Sequence, residues 1–82
     1  MWVAASMGIN KGERFDREDI FVVYSYEAVM FRWNFKEKKI YRKFYGEAES
    51  NQSVPEENKL FNESLRFGEE ITAAEYWNGK HA

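Results

Sequence analysis

Apolar and polar residues alternate in two stretches near the middle of the chain, Phe31-Arg32-Trp33-Asn34-Phe35 and Ile40-Tyr41-Arg42-Lys43-Phe44. A period of two is the mark of a strand with one buried face. The polar stretch Lys36-Glu37-Lys38-Lys39 separates them and reads as a hairpin tip. Pairing residues 29–35 with 39–45 so that Phe35 faces Ile40, Trp33 faces Arg42 and Phe31 faces Phe44 gathers the apolar side chains on one face, which is what normally sets register. Trp33 opposite Arg42 would place a cation over an aromatic ring. A tight turn at Glu27-Ala28 adds a third strand, with Tyr24 opposite Phe31, Val22 opposite Trp33 and Ile20 opposite Phe35. The strand-favouring types Phe21, Val22, Val23, Tyr24, Tyr26 and Val29 argue against one long helix over this region.

This register gives an inner face of Ile20, Val22, Tyr24, Val29, Phe31, Trp33, Phe35, Ile40 and Phe44. The outer face carries Phe21, Val23, Met30, Arg32, Asn34, Tyr41, Lys43 and Tyr45. Beyond the polar loop 46–53 the period changes. Ser53-Val54-Pro55-Glu56 fits a capping box with Pro55 in the first turn. Leu60, Phe61, Ser64 and Leu65 form one helical stripe, and Gly68 is a natural stop. Thr72-Ala73-Ala74-Glu75 is a second capping box, with Ile71 and Tyr76 placed as a hydrophobic staple. The expected fold is α+β: a three-stranded antiparallel meander over about 20–45, followed by helices over about 54–67 and 73–78. Residues 1–19 receive no assignment, and residues 1–82 are read as one small domain.

Composition narrows the chemistry. Fifteen of the 82 residues are Phe, Tyr or Trp, and there is no Cys, so packing without disulfides or thiolate metal sites must hold the chain. The single His, His81, is next to the end and a poor place for a catalytic base. The glycines form no phosphate-binding loop. Glu56/Glu57 and Glu69/Glu70 fall at expected helix starts, where capping accounts for them. Glu47 and Glu49 offer only a nonspecific acidic pair for a hard cation. No catalytic residue, cofactor or metal site is therefore assigned, and an enzyme is not expected. Neither a membrane span nor a signal peptide is recognised, so the expected location is cytoplasmic.

Charge is segregated. Residues 32–43 hold six cations and one anion, whereas residues 44–82 hold three cations and eight anions. A net charge of −2 thus hides a basic hairpin beside an acidic helical region. A solvated tip that protects a sheet edge is the plainest account of the lysines. Arg, Tyr and Met on the outer face also suit a protein interface. The expected function is a non-enzymatic protein-binding or regulatory module, with Arg32, Lys39, Tyr41, Lys43 and Tyr45 as its candidate surface. The alternative is a nucleic-acid-binding module built on hairpin 30–45. There Tyr41 and Tyr45 would stack bases while Arg32, Lys39 and Lys43 hold phosphates, though the acidic total and the missing RNP pattern argue against it. Apolar residues on both sheet faces lead to a further expectation, self-association as a homodimer.

Overall fold

The structure is a computed structural model and describes residues 13–79. Its sheet is built from β1 (Ile20–Tyr24), β2 (Val29–Asn34) and β3 (Lys39–Phe44), the antiparallel meander read from the alternation. Helix α1 (Lys59–Phe67) and helix α2 (Ala73–Asn78) follow. Between them lies a strand the sequence did not signal, β4 (Glu69–Ile71), which adds to β1 and gives the order β3-β2-β1-β4. A 3₁₀ helix, Glu13–Asp16, precedes β1. Residues 1–12 and His81 lie outside the described residues.

Both hairpins are shifted by two residues from the expected register. Trp33 faces Ile40, Phe31 faces Arg42 and Val29 faces Phe44, while Ile20 faces Trp33 and Tyr24 faces Val29. Each connection is a four-residue loop closed by a left-handed residue, Ala28 (φ 53°) in one and Lys38 (φ 58°) in the other. In the second, Asn34 Oδ1 accepts hydrogen bonds from the Lys36 and Glu37 amides and starts the turn one residue earlier than the alternation suggests. A shift of two keeps every side chain on its expected face. Trp33 does not meet Arg42; its Nε1 donates to the Phe15 carbonyl at 2.8 Å.

The first helix also starts later than expected. The residue before a proline is pushed towards extended backbone. Val54 accordingly bridges Ile40, donating its amide to the Ile40 carbonyl at 2.8 Å. Ser53 therefore caps nothing. Asn58 is the cap, accepting from the Phe61 amide at 2.9 Å. The capping box at Thr72 is formed as expected: Thr72 accepts from the Glu75 amide, and Glu75 accepts from the Thr72 amide.

Two clusters hold the layers together. On the inner face Ile20, Val22, Val29, Phe31, Trp33 and Ile40 pack with Phe15 and with Phe61 and Leu65 of α1. Phe44, at the end of that face, stays 37% exposed. On the outer face Val23 and Met30 pack with Ile71 and with Tyr76 of α2, flanked by Phe21 and Tyr45. The apolar outer patch from which a homodimer was expected is thus covered by the chain's own last helix.

Candidate protein-binding face

The outer face of β2 and β3 is where the basic run meets α2. Arg32 and Tyr41 are cross-strand partners. Arg32 makes a bidentate pair with Glu49, Nε to Oε2 at 2.8 Å and Nη2 to Oε1 at 3.0 Å. Both side chains are largely buried, at 14% and 16% exposure. Tyr76, fully buried, donates its hydroxyl to the same carboxylate at 2.6 Å. The loop after β3 is thereby tied to the sheet and to α2 through one charge.

Electrostatics follow from this enclosure. Burial works to raise the Glu49 carboxyl, but hydrogen bonds from Arg32 and Tyr76 and the charges of Arg32 and Lys43 outweigh it and hold the group below its ordinary range. Burial, then the bond to Glu49, pushes the Tyr76 hydroxyl well above the usual phenol range. Glu37 accepts from the Tyr41 hydroxyl at 2.7 Å, and that bond raises Tyr41.

The Arg32 guanidinium lies over two rings, 4.7 Å from the centre of Tyr41 and 5.3 Å from that of Trp77. Trp77 also meets Tyr76 edge-on at 5.0 Å. Half of the indole remains in solvent, at 52% exposure. The result is a fixed surface of two aromatic rings joined by a neutralised arginine.

Of the five residues proposed from sequence, Arg32, Lys39, Tyr41 and Lys43 share this face, and Tyr45 packs beside its buried cluster. They are not equally available. Arg32 is committed to Glu49 and Lys43 is buried, whereas Lys39 is exposed. The nucleic-acid reading therefore loses two of its three phosphate contacts, and Tyr45, half-buried, is a poor base platform. Glu49 faces Arg32 and Tyr76, so the acidic loop does not offer it to a cation. Sequence reasoning did not place Trp77 on this face, read Tyr76 only as a hydrophobic staple and Glu49 only as half of a nonspecific acidic pair. The aromatic pair at the end of a predicted helix was a usable signal for Trp77, whereas nothing in the polar loop pointed Glu49 at Arg32.

The opposite side holds a groove of about 420 Å³. Phe15, Trp33, Ile40 and Phe61 floor it, and Asp16, Lys38 and Glu56 rim it. These side chains include no hydroxyl nucleophile and no imidazole. Among the described residues, no three of His, Cys, Asp and Glu cluster as metal ligands, and no helix is long and apolar enough to cross a membrane.

A small α+β domain that gathers an exposed Trp and a Tyr around an Arg presents residue types that are enriched where proteins bind proteins. Residues 7–80 match the family model of the Tis1 immunity protein, and the chain belongs to that family. It is 51% identical over 73 residues to the immune protein Tis1 of Pseudomonas aeruginosa (strain UCBPP-PA14), covering 89% of this chain and 95% of that protein. The fold is similar, at a TM-score of 0.84 and 51% identity, to a chain in the crystal structure of the complex between the type VI effector Tas1 and its immunity protein. That likeness covers 87% of this chain and 93% of the other.

Proposed function

We propose that this chain is a non-enzymatic immunity protein that neutralises a type VI effector by binding it. The observation that carries the reading is its 51% identity, over nearly the full length of both chains, to a protein crystallised in complex with the effector Tas1. The molecule's construction supports binding over catalysis. Arg32, Glu49 and Tyr76 are committed to one another, and none of the three lines the groove. The groove lining carries no hydroxyl, thiol or imidazole.

Mixing purified chain with purified Tas1 tests the proposal. A stable complex on gel filtration and a saturable binding isotherm are expected, together with loss of effector activity at stoichiometric chain. Failure to form a complex at micromolar concentrations would overturn it.

A further inference from the structure

We propose that the effector docks on the face made by Trp77, Tyr41 and Lys39, and that the effector segment seated there is acidic. This inference rests on the effector-binding reading above and assigns it a surface.

Trp77 is the first reason. Tyr76 already fills the interior position of α2 and is fully buried, so the neighbouring indole is not needed to close the core. It is nevertheless held in place, edge-on to Tyr76 and beneath the Arg32 guanidinium, with half its surface in water. Tyr41 is held by the same guanidinium and by its bond to Glu37. Rings fixed before association lose little freedom on binding, and tryptophan, tyrosine and arginine are the types that dominate binding energy at interfaces. Arg32 acts here by positioning, because Glu49 already takes its hydrogen bonds.

The charge around the rings names the partner's chemistry. Lys39 lies two residues before Tyr41 on the same face of β3, and Lys36 stands in the adjoining turn. Both are exposed, and among the described residues no carboxylate forms an ion pair with them. The nearby Glu37 is engaged by Tyr41. An approaching surface with carboxylates beside an apolar side chain would meet uncompensated lysines and an open indole together.

A second exposed aromatic region lies at the other end of the sheet, with Tyr26 at 84% and Phe67 at 65% exposure. Its charges are mixed: Arg66 lies over Phe67, while Glu27 and Glu63 face Tyr24. It specifies no partner charge and serves as the control.

Binding of Tas1 to purified variants at low and high salt tests the assignment. Trp77→Ala and the double variant Lys36→Glu/Lys39→Glu should each weaken binding at least about tenfold, the latter mainly through slower association that salt masks in the wild type. Trp77→Phe should recover part of the loss, and Tyr26→Ala/Phe67→Ala should bind like wild type. Thermal melts identify any variant that fails to fold. If wild type binds while Trp77→Ala and the lysine reversal bind equally well, the face is wrong and the function stands. If wild type does not bind Tas1, the functional reading itself falls. Retention of wild type on single-stranded RNA, lost in Trp77→Ala, with no effector binding would reassign the face to nucleic acid.

Discussion

Tyr76 and Glu49, 27 residues apart in sequence, meet through a 2.6 Å hydrogen bond that joins the last helix to the loop after β3. The donor is completely buried and the acceptor is charged, so the bond belongs to the stronger class. Tyr76→Phe keeps the ring's packing against Phe21 at 5.3 Å and removes only the hydroxyl. It should cost about 1.5–3 kcal/mol, the usual worth of a bond to a charged group. Urea unfolding measures it, and an unchanged midpoint would show that Arg32 alone fixes the carboxylate.

Acid should unfold the protein partly through Glu49. Its carboxyl is held below the ordinary value of about 4.3, despite burial that acts the other way. A depressed folded-state value means that its contribution is present above the unfolded value and lost as pH falls through the folded one. Wild type should therefore lose stability as pH drops below about 4.3. Glu49→Gln should be less stable at neutral pH, with a shallower acid decline, so the two curves converge. Parallel curves across the acid range would place the titrating group elsewhere.

The sequence made the faces legible but not the register. A period of two assigns every strand residue to a side, and a slip of two residues leaves that assignment intact. Register depended on loops closed by Ala28 and Lys38 in left-handed backbone, residue types that give no such signal. Asn34 did carry one, as an Asx turn, but it also fitted the alternation as a strand residue. β4 was hidden because Glu69-Glu70-Ile71 has only one buried side chain. The candidate surface was proposed from its charge. The contacts that hold Arg32 on it could not be read from the sequence, because Glu49 and Trp77 reach that side chain only through the tertiary fold.

Gly68 and Thr72 bracket β4, and their substitution should have unequal effects. A Cβ on Gly68 would lie 2.4 Å from the Val23 carbonyl oxygen and 2.6 Å from that of Ser64. Both obstacles are backbone, so α1 and β1 would have to move apart. Gly68→Ala should cost about 3 kcal/mol, the upper end for overpacking. Thr72→Ala removes an exposed cap and should cost about 1 kcal/mol. Equal losses in denaturant melts would mean that the close approach at Gly68 relaxes without resistance.

Trp33 should govern how firmly the 3₁₀ helix before β1 is held. Its indole donates to the Phe15 carbonyl, and the two rings lie 5.5 Å apart in the inner cluster. Arg14 adds an exposed bidentate pair with Glu70 on β4, a contact of small worth because solvent screens it. Trp33→Phe deletes the hydrogen bond while retaining an aromatic ring, so local opening of residues 13–17 should become easier by about 1–2 kcal/mol. Trypsin reports this directly, since Arg14 and Arg17 lie in the segment. Cleavage there should accelerate roughly tenfold, the factor that corresponds to about 1.4 kcal/mol. Cleavage at the exposed tip lysines Lys36 and Lys38 should keep its rate and serves as the internal reference. A uniform acceleration at all sites would instead mean that Trp33 stabilises the whole domain and that the segment has no separate opening of its own.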